Sequence, residues 1–208
     1  MTEAEWFNCD DADELLGWVV YNGRQSDRLR ALFLAACVAS LRPILADPRL
    51  LVAESTLENF AEGTCDFDGL TNACREAGQA LASILDDPSE QRWFYAQVAA
   101  AEAVAAALHP ESYEHLEYVI ESCRRAIELS NDDVSRRWVR YRQAAFVRDI
   151  FGNPFRPVAF DAEWRTPTVV RLAKHIYEAR DFSTMPILAD ALQDAGCDNA
   201  DVLNHCRD

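Results

Sequence analysis

Glycine is scarce in this chain, with 7 among 208 residues. No run of them forms a phosphate-gripping loop, and the nucleophile elbow, HExxH and EF-hand patterns are missing as well. These absences remove the commonest signatures of nucleotide, hydrolase and metal chemistry. No segment alternates apolar and polar residues as a β-hairpin would. The longest apolar run, Val98–Leu108, is interrupted by Glu102 and is too short to span a bilayer. The first residues, Met1-Thr2-Glu3-Ala4-Glu5-Trp6, are acidic where a secretory signal would be basic and then greasy. No membrane association is therefore expected, and the cytoplasm is the expected compartment.

The 7 cysteines, at 9, 37, 65, 74, 123, 197 and 206, include no CxxC pair. An odd, scattered set argues against a disulfide framework and for reduced thiols buried as small hydrophobes. Lysine is nearly absent: Lys174 is the single one, and arginine supplies the remaining positive charge.

The net charge of −15 is unevenly placed. Residues 1–70 carry 13 acidic and 5 basic side chains, whereas residues 132–208 carry 12 and 11. Within the latter, Arg136, Arg137, Arg140, Arg142, Arg148, Arg156, Arg165, Arg171 and Lys174 form a basic stretch. A chain this acidic repels polyanions, so nucleic acid is not an expected partner. The basic stretch is expected to dock on acidic helices of the same chain.

What is present is helix signal. The patterns place helices over Asp10–Tyr21, from a Ser26 cap to about Leu41, from Asp47-Pro48 to about Glu62, and over Asp68–Leu85. Asp87-Pro88-Ser89-Glu90 reads as the start of the next, ending near Leu108. Pro110-Glu111 opens one reaching Leu129, and Asn131-Asp132 one ending at Phe151. After Thr166-Pro167, Val169, Leu172, Ala173, Ile176 and Tyr177 make a one-sided stripe. Met185-Pro186 starts a helix that Gly196 ends, and Asp198 or Asn199 caps a last one turning Val202, Leu203 and Cys206 inward. The expectation is an all-α fold of about ten antiparallel helices in a compact or mildly curved array. It forms a single domain, 1–208, with possible sub-parts at 1–131 and 132–208.

One stretch breaks the helical pattern. From Gly152 to Thr166 the chain reads as an extended strap. Gly152 can take a left-handed helix end, and Asn153-Pro154 forbids continuation. Pro157 stiffens the middle of the strap, while Phe151, Phe155, Phe160 and Trp164 supply apolar anchors. A strap rich in rings, arginine and proline is either a buckle or the rim of a site.

Other constellations point to chemistry more weakly. Cys197, His205 and Cys206 are zinc-ligand types, but adjacent residues on a helix diverge by about a hundred degrees. A nucleophilic pair of Cys197 or Cys206 with His175 or His205 needs a third group to orient it; Asp194 and Asp198 are near in sequence, but proximity along the chain does not supply that geometry. Asp190, Asp194, Asp198 and Asp201 would form an acidic stripe, except that Gly196 interrupts the helix between them.

At Asp149-Ile-Phe-Gly-Asn-Pro-Phe-Arg-Pro-Val158, Thr168–Ala173, Ile176-Tyr177, Pro186–Leu192, Asp194–Cys197 and His205-Cys-Arg207, the chain resembles an uncharacterised family of bacterial helical proteins. Met1–Trp6 and Cys9 are similar to that family's opening. The resemblance implies no substrate and no catalytic residue. Members often continue past His-Cys-Arg into a segment with Gly-Cys-Trp, and a role residing there is not carried over.

The leading functional expectation is a non-enzymatic helical module that binds or regulates another protein. Arg148, Arg156 and Arg171 would supply directed hydrogen bonds and an exposed Phe155 or Trp164 the hot spot, with Asn153 between them. No cofactor or bound metal is expected. The competing expectation is an enzyme or metal-dependent site built from Asp149, Asn153, Arg156, Asp190, Asp194 and His205, gathered at one concave floor.

Overall fold

A computed structural model describes residues 1–23, 26–88, 91–109, 116–130 and 136–207. Eleven α-helices and two 3-10 turns make up the regular structure of these residues, with no strand among them. The fold is all-α. It divides into two compact units, Met1–Phe155 and Arg156–Asp208. The division thus falls within the strap, whereas the composition shift lies near residue 132.

The first unit contains α1 (Glu3–Asn8), α2 (Ala12–Tyr21), α3 (Asp27–Ala39), α4 (Pro48–Ala61), α5 (Phe67–Asp86), α6 (Arg92–Ala107), α7 (Leu116–Ser130) and α8 (Arg136–Phe151). Consecutive helices from α3 to α6 pack as neighbours, α6 lies closely along α7, and α8 closes on α2 and α3. The alanines explain the centre. Ala96, Ala99, Ala100, Ala101, Ala103 and Ala107 are all buried, so α6 is covered around most of its circumference. A helix apolar on all sides belongs inside a bundle, and small side chains let α7 approach closely. Around it lie Trp6, Leu15, Phe33, Leu41, Leu50, Leu108 and Ile120, each almost wholly buried.

Local chemistry fixes most helix starts. Ser26 caps α3 through the Leu29 N–H, and Asp47 caps α4 ahead of Pro48 at the first helical position. Helix α1 was not among the expected elements. Its start is a capping box: Glu5 N–H donates to Thr2 Oγ1 at 3.3 Å, and Thr2 N–H donates back to Glu5 at 2.6 Å. The start of α6 differs from expectation. Asp87 closes α5 by donating its N–H to Ile84, and α6 begins after Gln91, which makes no side-chain cap. Ser89, Glu90, Pro110, Glu111, Asn131 and Asp132, cited for helix starts, lie outside the described residues.

The second unit carries a 3-10 turn at Ala162–Trp164, α9 (Pro167–Ala179), a second turn at Phe182–Thr184, α10 (Met185–Asp194) and α11 (Ala200–Arg207). Helix α10 packs against both α9 and α11. Val169, Ile176, Leu188, Leu192, Leu203 and the thiols Cys197 and Cys206 form the core, with Trp164 and Leu172 packed on its edge. Gly196, at φ +90°, ends α10 in a backbone state that a Cβ would strain. Asn199 caps α11 by accepting from the N–H groups of Asp201 and Val202.

Candidate interaction surfaces

The strap's first residues act as a buckle within the first unit. Gly152, at φ +70°, ends α8 with its N–H on the Arg148 carbonyl at 2.9 Å. Asn153 then accepts from the Phe155 N–H at 2.9 Å and donates through Nδ2 to Glu3 at 2.7 Å. Pro154 is buried, and Phe155 is half-buried with its ring 5.0 Å from Trp18. Trp18 in turn lies 5.9 Å from the buried Trp6. Phe155 is therefore not the exposed anchor expected of it, because the Trp18 ring of α2 takes up its face. Gly152–Phe155 clamps the chain's N-terminal corner.

Arg148 is also committed internally. Its Nε donates to the Trp6 carbonyl at 3.2 Å, and Nη2 donates to the carbonyls of Phe7 and Cys9. These are orphan acceptors at the end of α1, where a cation is favoured by both hydrogen bonding and the helix dipole. The outward-facing guanidinium expected at 148 is instead the bolt that fastens α1. The next arginines continue the pattern. Arg140 reaches Asp11 at 2.5 Å and Arg137 reaches Asp10 at 3.6 Å. Arg137 and Arg140 of the basic stretch thus dock on acidic residues of the same unit, as its charge suggested.

Sequence reasoning missed Arg124. It is buried on α7, donating through Nε to Gln143 at 2.7 Å and through Nη1 to Asp13 at 2.8 Å. Gln143, also buried, passes the chain on to the Ile120 carbonyl at 3.2 Å. The signal was available. Arg124 stands four residues after Ile120 and one after Cys123, both on the buried face of α7.

Between α1, α2 and α8 lies a depression of about 680 Å³, lined by Glu5, Cys9, Asp10 and Glu14 opposite Arg137 and Arg140. Its groups are largely spent on one another. The Cys9 thiol donates toward Glu14 at 3.6 Å and toward the Asp11 carbonyl at 3.5 Å. Burial pushes this thiol up, the Asp11 backbone opposes it in part, and the neighbouring carboxylates of Glu14 and Asp11 raise it further. A thiol held neutral in this way is a poor nucleophile. The depression reads as a polar joint fastening the N-terminus.

The second unit holds Arg156, Trp164 and Arg171. Arg156 and Arg171 are exposed, and Trp164 is half-buried. Phe160 meets Trp164 edge-on at 5.3 Å, and the Arg165 guanidinium lies 5.6 Å above the Phe160 ring. The stripe on α9 divides. Val169 and Ile176 are buried and Leu172 half-buried, but Ala173 and Tyr177 face solvent together with Val170. The Arg180 guanidinium sits 4.8 Å above the Tyr177 ring. Ile187 on α10 is exposed as well, while Leu188 and Ala189 beside it are buried.

Of the competing polar set, Asp149 and Asn153 belong to the first unit, and Arg156, Asp190, Asp194 and His205 to the second. The depression at the N-terminal corner is lined by none of them, nor is a smaller one at Gly63–Asp66. Asp190 pairs with Arg207 at 3.1 Å. Among the described residues no group of three or more His, Cys, Asp or Glu gathers as a metal site. Cys197 and Cys206 lie in the core, where burial and then the neighbouring Cys197 push the Cys206 thiol up. No described helix is long and apolar enough to cross a membrane. Compared with protein-family models, curated proteins and solved structures, the chain gives no match.

Proposed function

We propose that the protein is a non-enzymatic helical module that binds another protein through its second unit. The outer strap and the uncovered flank of α9 form the contact. The observation that carries this reading is the split apolar arc of α9. Val170 is 50% and Tyr177 42% exposed on a helix whose other apolar side already fills a core. An apolar flank left in water costs solvation free energy that a partner would recover. Arg171, Arg165 and Arg180 border it, and Trp164 and Phe160 stand nearby in sequence, so tyrosine, tryptophan and arginine, the commonest hot-spot residues, are all at hand. Arg156, exposed in the outer strap of the same unit, is proposed as a further contact. A cytoplasmic location, and the resemblance to a bacterial helical family carried by the motif residues, are parts of the same proposal.

The test compares tagged wild type with Val170→Asp and Arg171→Glu by affinity purification, followed by direct binding of the purified partner. The expected result is one partner whose affinity falls about tenfold or more in either variant, with helicity unchanged. Partners insensitive to both variants, or stoichiometric bound metal with no partner, would overturn the reading in favour of the carboxylate and histidine site.

A further inference from the structure

The outward face of α8 has a chemistry that fastening α1 does not use. Helix α8 turns Val139, Gln143, Ala144 and Val147 inward and its docking arginines toward the N-terminal corner. The opposite side presents Trp138, 49% exposed, and Tyr141, 52% exposed. In the helical projection Trp138 lies between Tyr141 on one side and Arg142 on the other. The Arg142 guanidinium stands 5.5 Å from the Trp138 ring and 5.7 Å from the Phe146 ring.

Arg142 differs from its neighbours on α8. Arg137, Arg140 and Arg148 each have an acidic or carbonyl acceptor, whereas Arg142 has ring faces and, among the described residues, no hydrogen-bond acceptor. A guanidinium resting against two rings has little further freedom to lose when its N–H groups meet an acceptor. That is the arrangement which grips a carboxylate with two parallel bonds at small entropic cost. Arg137, whose side chain is 87% exposed and only loosely paired to Asp10, adds positive charge five residues earlier, on the flank toward the N-terminal corner.

We infer that the N-terminal half of the outward α8 face is a docking surface for an acidic, ring-bearing segment of another protein. Arg142 is its carboxylate clamp, and Trp138 and Tyr141 are its apolar anchors. Charge selects this occupant. A nucleic acid would offer phosphates to the same edge, but the surrounding chain carries a net charge of −15 and repels a polyanion over its whole length. A short peptide meets only the local field within about 10 Å. Asp149 lies on the same side near the end of α8 and sets the limit of the acidic contact there. This surface is independent of the one proposed on the second unit.

The experiment uses the full chain and three fluorescein-labelled probes read by anisotropy. They are an Asp/Glu-rich peptide of about ten residues with two phenylalanines, its Asn/Gln counterpart, and a single-stranded oligonucleotide. Saturable binding of the acidic peptide is expected, with about tenfold loss in Arg142→Glu and an intermediate loss in Arg142→Lys. Trp138→Ala should weaken it, while Val170→Asp on the second unit should not. Circular dichroism confirms that each variant is folded. The inference fails if the acidic peptide does not bind up to about millimolar concentration, if the amide peptide binds equally well, if Arg142→Glu binds like wild type, or if the oligonucleotide binds more tightly.

Discussion

Replacing Arg148 by methionine should release α1 while leaving the rest of its unit folded. Helix α1 spans six residues, far below the length at which a helix is stable in water, so tertiary contacts must hold it. Trp6 supplies the largest of these. It is wholly buried, and at about 25 cal/mol per Å² over about 150–250 Å² it contributes about 4–6 kcal/mol. The Thr2–Glu5 capping box adds about 1 kcal/mol. The three Arg148 hydrogen bonds, partly solvated, add about 2–4 kcal/mol. Against these stands the ordering of six backbone residues, at about 1–2 kcal/mol each. The attractive contributions exceed the ordering cost by no more than about 3–5 kcal/mol, so a loss of about 3 kcal/mol tips α1 toward the detached state. A methionine side chain at this position would retain most of the aliphatic packing and remove only the donors. The assay is amide hydrogen exchange at Trp6, Phe7 and Asn8, whose N–H groups are the ones bonded inside so short a helix. Their protection should fall about a hundredfold, with protection in α4, α5 and α6 unchanged. Arg148→Lys should give an intermediate effect, because an ammonium replaces the fork by a point charge. Unaltered exchange at these three amides would refute the bolt, and an equal rise in α4–α6 would show that Arg148 supports the whole unit instead.

Two further outcomes rest on burial and backbone state. Burial pushes the Cys123 thiol from 9.0 up to about 12, so the folded protein keeps its proton where the unfolded chain loses it. The unfolded state then binds fewer protons than the native one above about pH 9, and stability falls with rising pH at up to about 1.4 kcal/mol per pH unit until about pH 12. Urea unfolding at pH 8 and pH 10 should show this slope reduced in Cys123→Ala; an identical slope in both proteins would assign the alkaline loss elsewhere. Gly78 sits inside α5, exposed and with open space around an added Cβ, so Gly78→Ala should stabilise the first unit by about 0.5–1 kcal/mol in thermal unfolding, and a lower Tm would contradict that local reading.

The helices were legible in the sequence because their evidence is local. Ser26, Asp47 and Thr166 announce starts by side-chain chemistry that operates within three residues, and Gly152 and Gly196 announce ends by a backbone state other residues resist. The same logic was available for α1 at Thr2 and Glu5, and only the shortness of the helix concealed it. Burial of Cys37, Cys123, Cys197 and Cys206 likewise followed from composition and context.

The roles of the strap and its arginines were decided only in three dimensions. Arg148, Arg140, Arg137 and Arg142 share one helix and one chemistry, yet three fasten the N-terminal corner and the fourth rests on rings. Which acceptor each one meets depends on carbonyls and carboxylates more than a hundred residues away in the chain, and periodicity along one helix carries no information about them. For the same reason the α9 stripe predicted an inward face but not its width. How much of an apolar arc is covered depends on the size and angle of the neighbours that pack on it, and in the second unit those neighbours leave Val170 and Tyr177 in water. Sequence determined where helices begin, end and turn apolar; packing determined which of their polar groups are structural and which remain available for recognition.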